Sequence, residues 1–247
     1  RPFTSRPTDA KPLSEWSELA HGGAGAKKAR ARWKMARRVV SLAALHAKSM
    51  QDDTALVGLT RAQQQRYARS SFGFDALLLE NMHDRPYMLR QAGSAAVAGM
   101  TAAACAVRST WPGPLGVQLL AGDNLGALAV AKACGANFIR CEGFVFASVA
   151  DEGLMAEADA GPLLRARREL DATDVAIFAD IRKKHSSHAI TSDIDIADAA
   201  RAAAFSRADG VIITGQETGM PVDEQDVRDA RQAVDLPILI GSVVTPA

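Results

Sequence analysis

The run VAIFAD at residues 175–180 consists of five apolar residues that end in a carboxylate. A short, continuously apolar run of this kind is typical of a strand buried on both faces of a parallel sheet. Six further runs of similar character recur along the chain, which gives seven predicted strands. They are Val39–His46, Asp75–Asn81, Leu115–Leu120, Phe138–Glu142, Val175–Asp180, Gly210–Thr214 and Pro237–Gly241.

Alanine-rich, charged stretches separate these runs and are typical of helices. The runs begin about 30 residues apart on average, which is the usual length of a βα unit. This alternation predicts an α/β fold, a (β/α) TIM-type barrel that is incomplete because it has about seven βα units instead of eight. We expect residues 39–247 to form the barrel domain and residues 1–38 to form a partly helical basic extension that acts as a linker or docks on a partner.

Short polar side chains precede the predicted helices and are expected to cap them. The dipeptide Gly161-Pro162 interrupts the stretch from Glu152 to Leu170 and is expected to break or kink a helix there. The predicted N-caps are Ser94, Asp123, Asp151, Asp193 or Asp195, and Asp223.

Composition and charge exclude several functional classes. A formal net charge of +1 argues against specific binding to nucleic acid, and no apolar run approaches the roughly 18 residues of a membrane-spanning helix. The charge is uneven, because residues 27–38 carry seven Lys or Arg and no acid. This segment docks on an anionic membrane surface or a partner, or it is a solvated basic extension; the two hypotheses remain open. Three cysteines without metal-type spacing favour a reducing compartment and buried thiols.

Three carboxylates, Glu80, Glu142 and Asp180, lie at the ends of predicted strands. In a (β/α) barrel the carboxyl ends of the strands, here called the rim, carry the chemistry. A carboxylate at the edge of an apolar core can act as a base or a metal ligand. The alternative is that each pairs with a nearby cation such as Arg140 or Lys184.

Two further groups of rim residues suggest an anion site. Lys184 and His185 lie in a cationic loop after the fifth strand, where they neutralise an anionic substrate or belong to a solvated loop. Backbone N–H groups after the sixth and seventh strands are suited to phosphate, although the same residues are common in ordinary turns. The candidate phosphate-binding residues are Thr214, Gly215, Gly241 and Ser242.

Several segments together resemble the BtpA family, whose fold is similar to the ribulose-phosphate-binding barrels. They include FDALLLENMHDRPY (74–87), IFADIRKKH (177–185), ADGVIITGQETGMPVD (208–223) and PILIGSVVTP (237–246). The family is named for a cyanobacterial factor in photosystem I accumulation, and its bacterial members are suspected sugar-phosphate or nucleoside-type enzymes. The resemblance marks as site residues Glu80, Asn81, Asp84, Asp151, Gly153, Asp180, Lys184, His185, Thr214, Gly215, Thr218, Gly219, Asp223, Gly241, Ser242, Thr245 and Pro246.

The chain also departs from the family pattern. Arg182 stands where the family usually has a histidine, Glu142 follows the fourth strand where an asparagine is usual, and no eighth βα unit follows. These departures favour a non-catalytic accessory or assembly subunit of a larger membrane-associated complex, a degenerate enzyme whose Glu80, Asp180, Lys184 and His185 are vestigial. The alternative is a sugar-phosphate or nucleoside-type enzyme, namely a lyase, isomerase or hydrolase.

The expected partners are protein subunits that cover the open edge of the barrel. We predict no cofactor and no metal. The chain begins with Arg1, and its Arg-rich start is consistent with a cleaved presequence. We therefore expect an organellar protein of the mitochondrion or plastid, soluble or peripheral to a membrane.

Overall fold

The structure is a computed structural model that describes residues 39–41, 76–111, 113–215 and 220–241. The predicted extension (1–38), including the basic segment 27–38, therefore lies outside the described residues. So do Ser242 and the other residues beyond 241.

A parallel sheet of seven strands forms the centre of the fold, and side chains are described for six of them. The order across this sheet is β1-β2-β3-β4-β7-β9-β10, and every neighbouring pair is parallel. Within the described residues β10 pairs only with β9, so the curled sheet is a half-barrel. The predicted α/β, incomplete TIM-type architecture is confirmed. The strands are β1 (Val39–Ser41), β2 (Ala76–Glu80), β3 (Leu115–Gln118), β4 (Phe138–Cys141), β5 (Ser148–Ala150), β6 (Gly153–Met155), β7 (Ala176–Ile181), β8 (Ser186–Ser187), β9 (Gly210–Ile213) and β10 (Ile238–Ile240).

Five α-helices are described, and most pack against the outer face of the sheet. Asp123, Asp195 and Asp223 cap helices as predicted, each accepting a hydrogen bond from a backbone N–H of the first turn. Ser94 is not a cap, because its helix already begins at Gly93. No helix in the described ranges is long and apolar enough to cross a membrane. The helices are α1 (Gly93–Thr110), α2 (Asn124–Cys134), α3 (Ala160–Glu169), α4 (Ile196–Phe205) and α5 (Glu224–Ala233).

The prediction of a helix from Glu152 to Leu170 is wrong for residues 152–159, because the helix begins at Ala160. Asp151 lies instead in the turn between β5 and β6, which pair antiparallel with each other. β8 pairs with the other side of β5, so a second, three-stranded sheet joins the segment after β4 to the segment after β7. Pro162 does not break α3, because it lies in the first turn, where its missing N–H has no helical partner to lose.

Alternating side chains of the parallel strands face two separate apolar cores. The larger core lies between the sheet and the helices, and it contains Leu77, Ile139 and Ile177. The smaller core lies on the inner, concave face of the sheet. It consists of Ala76, Leu78, Phe138, Ala176, Phe178 and Ile212.

Two phenylalanine rings dominate the inner core. Phe138 and Phe178 meet edge to face, with centroids 5.7 Å apart and planes at 73°. Glycines on neighbouring strands leave room for them: a Cβ on Gly116 would lie 2.2 Å from the Phe138 ring, and one on Gly210 would lie 2.3 Å from the Phe178 ring. Large and small residues thus alternate between strands, and the two rings form the floor beneath the rim.

We predict that Gly116→Ala lowers the free energy of unfolding by about 1–3 kcal/mol, because the buried Phe138 ring has no space into which to move. Gly99→Ala is the matched control. Gly99 lies on the exposed side of α1 with nothing within 4 Å of an added Cβ, so this change should stabilise the protein by about 0.5–1 kcal/mol. Urea unfolding of both variants measures the difference. Equal free energies for the two variants would contradict the packing described above.

Candidate functional site

Three charged side chains meet just above the two phenylalanine rings. The Arg140 guanidinium donates to Asp180 Oδ2 from Nε at 3.0 Å and from Nη2 at 2.5 Å, and Nη1 lies 3.3 Å from Glu80 Oε1. The Asp180 side chain is fully buried, and those of Glu80 and Arg140 are 8% and 12% exposed. We call Glu80, Arg140 and Asp180 the charge triad.

Strand periodicity places the charge triad on the inner face. Arg140 follows Phe138 by two residues and Asp180 follows Phe178 by two, so each points to the same side of the sheet as its ring. Burial alone would lower the pKa of Arg140, but Asp180 and then Glu80 raise it above its ordinary value. Arg140 is therefore a fixed cation, and its long side chain links β2, β4 and β7.

A second polar group, the glutamate cluster (Gln118, Glu142 and Lys183), lies beside the charge triad. Gln118 Nε2 donates to Glu142 Oε1 at 3.1 Å, and Lys183 Nζ lies 3.2 Å from Glu142 Oε2. Burial raises the pKa of Glu142, an effect that the Lys183 charge opposes. Glu142 therefore holds a proton more readily than an exposed glutamate does.

Two buried asparagines fix the backbone of the rim. Asn124, at the start of α2, accepts from Glu142 N at 3.2 Å and donates to Glu142 O at 2.7 Å. Asn81, just after β2, accepts from Leu120 N at 2.7 Å and donates to Leu120 O at 3.3 Å. Each amide thus ties one strand end to a neighbouring segment at two points. A third Asn124 contact, from Nδ2 to Asp159 Oδ2 at 2.5 Å, joins this arrangement to an Arg90–Asp159 ion pair.

The loop after β7 directs two lysines towards these groups. Arg182 and His185 both adopt left-handed backbone conformations, with φ of 48° and 57°, and both are exposed. Between them Lys183 reaches Glu142, and Lys184 is half-buried beside the charge triad. Burial lowers the pKa of Lys184, and the charge of Arg140 lowers it further, so this amine releases its proton more easily than a surface lysine does.

The predicted phosphate-binding residues differ in their surroundings. Thr214 Oγ1 accepts from the backbone N–H of Lys184 at 3.0 Å, which joins it to the cationic loop. The N–H of Gly241 donates to Ile213 O at 2.9 Å and so belongs to the sheet. A Cβ on Gly241 would lie 2.9 Å from Ile212 Cγ2 and 3.0 Å from Thr214 Cγ2, so this glycine lets two methyl groups pack closely beside the charge triad. The chain folds back closely at Gly215, where a Cβ would lie 2.4 Å from Met220 O.

A small cleft that is open to solvent lies between the segments that follow β4 and β7. Its walls include Asp180 and Lys183 together with Phe146, His188 and Thr191.

The structure brings Glu80, Asp180, Lys184 and Thr214 into one region, as strand-end reasoning predicted. The alternative that rim carboxylates pair with cations also holds, because Arg140 pairs with both Glu80 and Asp180. The sequence did not identify Gln118 and Lys183 as partners of Glu142. Side chains alternate along a strand, so Arg140, two residues beyond the inner-facing Phe138, could have been predicted to lie on the inner face of the sheet at the centre of the site. The described residues contain no group of three or more His, Cys, Asp or Glu that could hold a metal ion.

Comparison with known proteins identifies relatives of this chain. The sequence profile of the BtpA family matches residues 34–246. A protein of Caenorhabditis elegans described as mitochondrial is 41% identical over 194 residues, which cover 76% of this chain and 69% of the worm protein. The photosystem I biogenesis protein BtpA of Synechocystis is 35% identical over 185 residues, or 74% of this chain and 63% of that protein. The chain thus spans less than two thirds of the cyanobacterial relative.

A search of solved structures found an L-ribulose 3-epimerase with a TM-score of 0.46 and 15% identity, covering 85% of this chain and 82% of the epimerase.

The buried Glu142 leads to a prediction about pH. Because its pKa is raised in the folded state, the stability that it contributes is present at low pH and is lost as the pH rises through the folded-state value. Glu142→Gln removes this titration. The free energy of unfolding of Glu142→Gln should therefore improve relative to the parent protein between pH 4.5 and pH 7.5.

Urea unfolding at several pH values across this range measures the trend. Glu169→Gln, at the exposed end of α3, controls for the loss of one negative charge. A Glu142→Gln trend no larger than that of Glu169→Gln would contradict the prediction.

Proposed function

This chain belongs to the BtpA family, and we propose that the rim of its barrel is a working site that binds a sugar phosphate and exchanges protons with it. The observation that carries this proposal is the charge triad, three ionisable side chains held together inside the half-barrel with the half-buried Lys184 beside them.

The energetics of burial support a functional reason for the charge triad. Removing ions from water costs several kcal/mol each, and apolar residues of similar volume often stabilise a protein as well or better. A sheet used only as a scaffold gains little from Arg140 and two carboxylates above an apolar floor. Perturbed ionisable groups that converge at the carboxyl ends of parallel strands are characteristic of substrate sites.

Each residue has a role in this proposal. Asp180 or Glu80 acts as the general base, since both carboxylates lie on the inner face of the sheet. Lys184 stabilises negative charge that develops on the substrate, and its lowered pKa also allows it to transfer a proton. His185 assists from the exposed end of the same loop.

Phosphate binds at the other side of the rim in this proposal. Thr214, Gly215 and Ser242 supply hydroxyl or backbone donors, whereas Gly241 offers no donor because its own N–H is used in the sheet. Lys184 lies between the two parts of the site, since its backbone N–H contacts Thr214.

Asp180→Asn tests the proposal. At ten times the dissociation constant, a sugar phosphate from a panel of pentose and hexose phosphates should raise the melting temperature of the parent protein by about 3–6 °C. Asp180→Asn should lose most of this shift, because the amide neither accepts a proton nor holds Arg140 in place. Asp198→Asn, on the exposed surface of α4, should retain it. Either a parent protein that no member of the panel stabilises, or equal shifts in both variants, would overturn the proposal.

A second candidate function is that of an accessory subunit in an organellar complex. Apolar side chains are exposed on the segments around the rim: Val149 and Leu154, cross-strand neighbours in the second sheet, are 41% and 56% exposed, and Met88 is 64% exposed. The edge of β10 that faces away from β9 also has no strand partner in the described residues. Relatives named as mitochondrial and as a photosystem I biogenesis protein support this candidate and an organellar location.

Native mass spectrometry of the protein, purified gently from its own cells, tests the accessory role. We expect a mass that includes at least one other protein, and loss of that partner when Val149 and Leu154 are both replaced by Lys. A monomer with no partner, or a complex that survives the double substitution, would contradict it.

A further inference from the structure

Four buried side-chain oxygens have no hydrogen-bond partner within the described part of the chain: Gln118 Oε1, Asp180 Oδ1, Glu142 Oε2 and Ser186 Oγ. Glu142 Oε2 has its ion pair with Lys183, and Ser186 lies in the small antiparallel sheet. Gln118 Oε1 and Asp180 Oδ1 are therefore the two rim acceptors that need a donor from elsewhere. Gln118 is 2% exposed and the Asp180 side chain is fully buried. A buried acceptor without a donor costs free energy, so such atoms require an explanation.

The orientation of the Gln118 amide follows from its neighbour. Its Nε2 lies 3.1 Å from Glu142 Oε1, and a carboxylate oxygen accepts hydrogen bonds. When Glu142 is ionised, with Lys183 at its other oxygen, the amide presents its NH₂ group to Glu142, which directs Gln118 Oε1 away from that contact.

The Asp180 carboxylate is divided in a similar way. Arg140 directs two of its three donor groups to Oδ2, Nε at 3.0 Å and Nη2 at 2.5 Å. The third donor group, Nη1, faces Glu80. Arg140 therefore satisfies one oxygen of Asp180 and leaves Oδ1 as an acceptor.

Both acceptors belong to the inner face of the sheet, on either side of β4. Gln118 lies two residues beyond Gly116, whose Cβ position faces the Phe138 ring, and Asp180 lies two residues beyond Phe178. Gln118 lies opposite Glu80 in the register of β2 and β3 and so borders the charge triad. Asp180 is itself a member of the charge triad.

We propose that Gln118 Oε1 and Asp180 Oδ1 accept hydrogen bonds from hydroxyl groups of the bound ligand. This inference rests on the proposed sugar-phosphate site and adds that the site selects its ligand by hydroxyl groups, with Gln118 as a specificity-determining residue. An ammonium group or metal cation fits less well, because positive charge is already present: Arg140 lies beside Asp180, and Lys183 lies beside Glu142. A neutral hydroxyl supplies the missing donor without adding charge.

Calorimetric titration with ribose 5-phosphate, its 2-deoxy and 3-deoxy analogues, and inorganic phosphate tests the inference. The parent protein should bind ribose 5-phosphate at least about tenfold more tightly than one of the deoxy analogues, because that analogue leaves a buried acceptor unpaired. Gln118→Met removes the acceptor, so this ratio should fall towards one. Gln118→Asn, which keeps the amide but withdraws its oxygen, should also reduce the ratio. Gln118→Asn provides the test if Gln118→Met is poorly folded.

Gln225→Met is the matched control, because it makes the same substitution on the exposed surface of α5, and it should keep the full ratio. Equal binding of ribose 5-phosphate and both analogues by the parent protein, as expected if buried water satisfies both oxygens, would overturn the inference and leave the sugar-phosphate site in place. An unchanged affinity ratio in folded Gln118 variants would also overturn the inference. If neither inorganic phosphate nor any member of the panel of pentose and hexose phosphates binds the parent protein, the proposed function fails and this inference fails with it.

Discussion

The rim depends on one cation, Arg140, held inside the half-barrel by carboxylates from two other strands. A guanidinium in this position would be costly to bury alone, and Glu80 and Asp180 would be costly to bury without it. Their mutual compensation fixes the ends of β2, β4 and β7 relative to one another. The position of Lys184 and the unpartnered oxygen of Asp180 both follow from this arrangement.

The apolar floor makes the ionic arrangement possible. Phe138 and Phe178 fill the inner face because Gly116 and Gly210 give up their side-chain volume to the rings. The charged layer therefore rests on a closely packed surface that excludes water from below. Electrostatic interactions at the rim are stronger for this reason than they would be on an open sheet.

Much of the fold could be predicted from the sequence, because buried parallel strands and helix caps have local signatures. The six strands from β2 to β10 in the parallel sheet lie within the predicted apolar runs to within a residue, and Asp123, Asp195 and Asp223 cap helices as expected. The second sheet was missed because its strands are two or three residues long, too short to show a period.

The side-chain partners of the site were harder to predict. Strand-end reasoning found Glu80 and Asp180, which end apolar runs, and Lys184, which lies in the loop after the second of these runs. Arg140 joins residues that are 60 and 40 positions away in the sequence, and no local pattern encodes such pairs. The same holds for Lys183 and Glu142, and for the two-point contact that Asn124 makes with the backbone of Glu142.

The small antiparallel sheet has a mechanical consequence for the rim. β5 follows Glu142 and β8 follows Lys183, and the two strands are hydrogen-bonded through Val149–Ser187 and Ala150–Ser186. The segments that carry the two members of this ion pair are therefore coupled at two levels, by their side chains and by their backbones. Displacing either segment requires the other to follow or both connections to break, so the wall of the cleft formed by these two segments moves as a single unit.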